Sequence, residues 1–109
     1  MLRRHERLRS GRDIEAVLKK GRRYNDPSLL IWVMKKPQGS FRAAVLCSKK
    51  IDKRSVGRNA IKRRIREAVR QVLKPHFPTG DIVISAKVGA KGLKPAQFKN
   101  IFQNVFHIS

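Results

Sequence analysis

Between Val56 and Leu73, the apolar residues Ile61, Ile65, Ala68, Val69 and Val72 recur at helical spacing. At about 100° per residue, Asn59, Lys62, Arg63, Arg66 and Arg70 fall within roughly a quarter-turn, largely facing away from that stripe. Such a helix has one face that must enter a core and another that must meet water or an anion. Ser55 stands where a cap is expected and Pro75 where the helix should stop. With 40% apolar residues spread through periodic segments, the remaining chain can receive the helix, unlike a disordered basic tail.

The flanking segments define the receiving surface. Ser10 followed three residues later by Asp13 has the pattern of a capping box; Ile14, Val17 and Leu18 then give an apolar face, and Gly21 ends a short first helix. Residues 29–34 and 41–47 are β-rich and separated by Pro37, Gln38, Gly39 and Ser40, which predicts an antiparallel hairpin. Residues 81–86 predict a strand after the long helix, and there is room for a further strand between Ser48 and Lys53. Phe98, Ile101, Phe102, Val105 and Phe106 mark a last helix beginning near Pro95. The expectation is a single α+β domain over residues 1–109. It has the order α-β-β-(β)-α-β-α, with a small mixed or antiparallel sheet packed with about three helices as a two-layer sandwich. Phe41, Phe98, Phe102 and Phe106 are assigned to the core, and Cys47 is read as a small buried hydrophobe.

Charge narrows the function. The chain has 27 Lys and Arg against 7 Asp and Glu, a formal net charge of +20. Such a surplus repels itself, and a dense polyanion relieves that cost. Lys49, Lys50, Lys53 and Arg54 bring more charge to the start of the long helix. Asp52 and Glu67 are the only acids between Lys49 and Lys74. A merely solvated helix face normally mixes signs to gain i,i+4 pairs, and this one does not. Arg58 lies in the first turn, where a long side chain can swing around the helix end and the free N–H groups favour a phosphate. No run approaches the ~20 apolar residues of a spanning helix, and the N-terminus lacks a signal-peptide core. A cytoplasmic protein with no membrane partner is expected. No Cys/His metal set, Walker loop or paired nucleophile and base is present, and His5, His76 and His107 lie far apart near chain or element ends. No catalytic or metal-ligating residue is therefore assigned, and Asp52 is read as a turn residue in preference to a contact with a cation shared with RNA.

The stretch Ser48-Lys49-Lys50, a short loop, then Arg58-Asn59-Ala60-Ile61-Lys62-Arg63-Arg64-Ile65-Arg66-Glu67 resembles the signature of the bacterial ribonuclease P protein family. That signature is written R-N-x-x-K-R-x-x-R-E after a Lys-Lys loop. Arg12-Asp13-Ile14 through Gly21-Arg22-Arg23 is similar to the family's first helix and turn, and Asp81-Ile82-Val83-Ile84 to its strand after the signature helix. The chain departs from the family at Ala60, where many members carry Arg, and at Ile14 and Leu18, where members often carry Phe.

The resemblance implies a protein subunit of an endoribonuclease that removes the 5′ leader of precursor tRNA. The catalytic RNA subunit performs the hydrolysis with bound Mg²⁺, and no obligate protein partner is implied. It assigns RNA contact to Arg58, Asn59, Lys62, Arg63 and Arg66, with Lys49, Lys50, Arg54 and Arg70 on the same basic surface. A cleft walled by Ile14, Leu18 and Trp32 is implied for the unpaired leader. Trp32 fits either ordinary sheet packing or a stacking platform. A ribosomal or histone-like nucleic-acid-binding protein is the alternative from another class.

Overall fold

The computed structural model describes residues 2–108. Helix α1 (Gly11–Lys20) leads into strands β1 (Arg22–Asn25), β2 (Leu29–Met34) and β3 (Arg42–Leu46). Helix α2 (Ser55–Ala68) continues through a π turn (Val69–Leu73) and a closing turn (Lys74–His76) before strand β4 (Asp81–Ala86) and helix α3 (Pro95–Phe106). The α+β class, mixed sheet and three principal helices match the sequence expectation.

The sheet order is β1-β2-β4-β3. β4 pairs antiparallel with β2, Ile31 opposite Ile84, and parallel with β3, Val45 opposite Ile84. The expected β2–β3 hairpin is therefore not formed, because β4 lies between its two strands. The link over residues 35–41 only needs to step across one strand, roughly 10 Å at the usual strand spacing, and seven residues do so with Phe41 buried on the way. The fourth strand is β1 rather than the segment from Ser48 to Lys53, which turns with Ile51 N–H bonded to Ser48 O.

Alternation along the strands separates two cores. Leu29, Ile31, Val33, Ala43, Val45, Ile82 and Ile84 face α2 and α3, meeting Ile61, Ile65, Ala68, Leu73, Phe98 and Phe102. On the opposite face, Val83 and Ala44 pack with Val17 of α1 and Leu8, with Ile14, Trp32 and Met34 at the margin. α1 thus covers part of the second sheet face, so helices flank the sheet on both sides and the expected two-layer sandwich is instead three-layered. Phe41, Phe98 and Phe102 are buried as expected. Phe106 is half-buried and stacks edge-on against Tyr24 and Phe77.

The helix ends differ in detail from the sequence reading. Ser10 Oγ accepts the Asp13 N–H at 3.5 Å, while the Asp13 carboxylate accepts from Arg42 Nη1 instead of reaching back to Ser10. Gly21 turns the chain from α1 into β1, where a Cβ would lie 2.5 Å from Val17 O. Ser55 is the first residue of α2, not its cap; Arg54 holds that position without a side-chain cap. Pro75 does not end the helix at Leu73. The proline lacks an N–H for an i−4 bond and its ring crowds that carbonyl. The preceding turn widens, with Lys74 N–H bonding Val69 O, and the helix runs on to His76.

α1 is fastened to the sheet by ion pairs. Asp81, 1% exposed at the start of β4, accepts from Arg42 Nε at 3.1 Å and Nη2 at 2.8 Å and lies 3.0 Å from Lys36 Nζ. The same Arg42 reaches Asp13 on α1 at 3.3 Å. The substitution Arg42→Met leaves the Asp81 carboxylate buried with Lys36 as its remaining partner. It should lower stability by about 3 kcal/mol, read as a reduced urea midpoint; an unchanged midpoint would show that the cluster does not hold the helix.

Candidate RNA-binding surface

The burial of Ile61, Ile65 and Ala68 against the sheet turns the opposite side of α2 outward. Asn59 and Arg63 are exposed there, Lys62 is half-buried, and none of the three makes an ion pair with a described residue. Asn59, Arg63, Arg66 and Glu67 line a hollow of about 200 Å³ on this face. Arg70 is exposed and donates to Glu67 through Nη2 at 2.7 Å. The bonds from Arg70 and then Gln71 push the Glu67 carboxyl down to about 2.

The loop before α2 adds the second group of cations. Lys49, Lys50 and Lys53 are exposed, while Ile51 is anchored in the core and Asp52 is buried. Asp52 accepts the Arg54 backbone N–H at 2.9 Å and its guanidinium at 3.3 Å. Arg54 holds the Asp52 carboxyl below its ordinary range, first through its side chain and then through its backbone. The turn role read for Asp52 is the one it has. Arg58 Nη1 donates to Asp52 O at 3.1 Å and Lys53 O at 2.9 Å.

A groove of about 180 Å³ lies between α1, β3 and α2, lined by Arg7, Leu8, Arg9, Ile14, Ala44, Leu46 and Arg66 among others. The N-terminal segment reaches it by running beside β3, with Leu8 N–H bonded to Ala43 O at 2.8 Å. Its preceding turn is tied to the end of α2 by the Glu6–Lys74 ion pair. The Glu6 carboxyl is lowered by Lys74 and then by the Arg3 backbone. Arg7 Nε is buried without a hydrogen-bond partner among the described residues. Burial, and then the charge of Arg7, lower the affinity of Arg66 for its proton. Two guanidinium groups thus share a partly desolvated groove, a setting suited to an anion.

Of the three residues read as cleft walls, Ile14 lines the groove, while Trp32 packs against the same cluster of Val83 and Ala44 without lining it. Leu18 is 38% exposed and outside that cluster. Trp32 is half-buried, which serves packing and leaves part of the ring accessible. Arg7, Arg9 and Leu46 line the groove without having been singled out from the sequence. Only proximity in the fold distinguishes these two arginines among 27 cations. Cys47 is half-buried, and burial pushes its thiol up, so it is not an activated nucleophile. Among the described residues no three His, Cys, Asp or Glu side chains converge in a metal-binding group, and no helix is long and apolar enough to cross a membrane.

A mixed sheet with a helix on one face and an outward-facing cationic helix on the other defines a basic α+β module built to meet a polyanion. The ribonuclease P family model matches residues 2–108. The ribonuclease P protein component of a Picosynechococcus species is 34% identical over 85 residues, covering 78% of this chain and 73% of the relative. The ribonuclease P protein of Staphylococcus aureus superposes with a TM-score of 0.80 at 29% identity, covering 94% of each chain. That of Thermotoga maritima superposes at 0.78 with 20% identity over 95% of this chain and 98% of the other, and shares the fold. The chain belongs to the ribonuclease P protein component family, whose members are RNA-binding proteins of tRNA processing and parts of an endoribonuclease holoenzyme.

Asp52, Glu6 and Glu67 all have folded-state pKa values below their unfolded ones. Their contribution to stability is therefore fully present above the unfolded carboxylate range near about 4 and is lost as pH falls through the lower folded values. Thermal midpoints measured from pH 6 down to pH 2.5 should drop steeply below about pH 4. Asp52→Asn should flatten part of that slope, and a slope identical to that of the wild type would show that Asp52 is not held ionised by the fold.

Proposed function

We propose that this protein is the subunit of ribonuclease P that binds the catalytic RNA and the 5′ leader of precursor tRNA. In this role it assists an Mg²⁺-dependent cleavage whose chemistry belongs to the RNA. The observation that carries the reading is the convergence of cations without acid partners on one side of the molecule. Lys49, Lys50, Lys62 and Arg63 stand outward, and Arg7 and Arg66 share the adjoining groove. Arg54, Arg58, Asn59 and Arg70 belong to the same surface.

Phosphates along this surface would relieve the repulsion among these charges and give binding that weakens steeply with salt through counterion release. The groove would take the unpaired leader. Ile14 would offer apolar contact and Arg7 and Arg66 would meet a phosphate, while Trp32 and Leu18, which do not line the groove, would extend the contact beyond it. Metal ions for hydrolysis would be held mainly by the RNA subunit.

The test is cleavage of precursor tRNA at near-physiological Mg²⁺ by the cognate RNA alone, the protein alone and the two together. Stimulation is expected only in the mixture, and Lys62→Ala with Arg63→Ala should reduce it at least tenfold. Two lost phosphate contacts of about 1 kcal/mol or more would suffice. Cleavage by protein alone would make it a nuclease in its own right. Absence of stimulation would leave a basic nucleic-acid-binding protein of another assembly.

A further inference from the structure

The first arginine of the signature differs from the cations around it. Arg58 is half-buried, and its Nη1 donates to the carbonyls of both Asp52 and Lys53 in the preceding loop. The loop is held from two further directions. The Ile51 side chain enters the core, and the Asp52 carboxylate, 6% exposed, folds over the first turn of α2. That approach depends on Gly57, where a Cβ would lie 2.0 Å from Asp52 Oδ2. Lys91, from beyond β4, lies 3.9 Å from the same carboxylate. Lys49, Lys50 and Lys53, which belong to this loop, are all exposed.

We propose that Arg58, together with Asp52 and Gly57, positions the loop carrying Lys49, Lys50 and Lys53 against the start of α2, and that this fixed presentation of three lysines is its contribution to RNA binding. This deepens the function proposed above and rests on that reading. A guanidinium whose Nη1 is bonded to two carbonyls is held in place, whereas the shorter lysine side chain ends its ammonium closer to the backbone. An unfastened loop would have to be ordered on binding, at a cost in affinity.

Full-length wild type, Lys62→Ala, Arg58→Lys and Gly57→Ala are compared in binding to the cognate ribonuclease P RNA across a salt series. Thermal unfolding of each variant checks that it folds. Lys62→Ala removes one phosphate contact and should lower the log–log slope by about one. Arg58→Lys leaves the net charge unchanged, yet it should weaken binding at least tenfold and lower the slope by about two as lysines of the loop lose their contacts. Gly57→Ala, which alters no charge, should do the same if it folds. Amide hydrogen exchange of residues 49–54 in the free protein should quicken in Arg58→Lys. A salt slope and loop protection equal to those of the wild type in Arg58→Lys would overturn the proposal. If the wild type does not prefer this RNA to an unrelated RNA of equal length, the proposed function fails instead, and the hydrogen-exchange comparison still decides whether Arg58 holds the loop.

Discussion

The fold depends on burying β4 on both of its faces and pairing it along both of its edges. Ile82 and Ile84 point toward α2 and α3, Val83 points toward α1, and all three are fully buried. β2 and β3 attach to either edge, and β1 attaches through β2. Since β3 and β4 run parallel, the chain between them has to cross a face of the sheet, as parallel connections require. α2 makes that crossing. Its apolar stripe is drawn onto the inner face by hydrophobic burial, and its cationic side has only one direction left, outward. The basic surface is thus a consequence of how the central strand is covered.

The acids show how a chain with so large a positive surplus holds together. Each of the seven has an internal partner, and most mark a joint. Glu6 ties the N-terminal segment to the end of α2, Asp26 closes the turn before β2 through Ser28 N–H, and Asp52 secures the loop before α2. Asp13 and Asp81 share Arg42 between α1 and the sheet, while Glu15 and Glu67 pair within their helices. Carboxylates placed at joints stabilise the packing where each ion pair is partly shielded from water. The outward face of α2 keeps only Glu67, on which Arg70 and Gln71 converge. Negative charge is concentrated at structural contacts, and the outward face of α2 is left strongly positive.

Much of this was legible from periodicity alone. The two-faced pattern of α2 gave its core side and its cationic side because both follow from one angle per residue. Residues 81–86 read as a strand, and Phe98 and Phe102 read as core. The position of β4 between β2 and β3 was not legible, because two β-rich runs separated by a short Pro- and Gly-containing link look like a hairpin unless the competing strand is known. β1 was hidden because Arg22, Arg23 and Asn25 leave Tyr24 as its only bulky apolar residue, a composition typical of a protected edge strand. The π turn at Val69–Leu73 is a local answer to Pro75 and leaves no separate sequence signal. The signature falls on α2, whose cationic side faces outward, but Arg7 and Arg66 become neighbours only through the N-terminal segment running beside β3. Of the residues placed by sequence in one wall, Ile14 lines the groove, Trp32 packs on the same outer-face cluster without lining it, and Leu18 lies outside both.

The most direct test of the basic surface is the amide chemical-shift map of isotope-labelled protein titrated with the cognate ribonuclease P RNA. Perturbations should concentrate on residues 49–54, on the outward side of α2 from Asn59 to Arg70, and on the groove containing Arg7, Ile14 and Leu46. A map centred on α3 and the free edge of β1, with the α2 face unperturbed, would contradict the assignment of this surface to RNA.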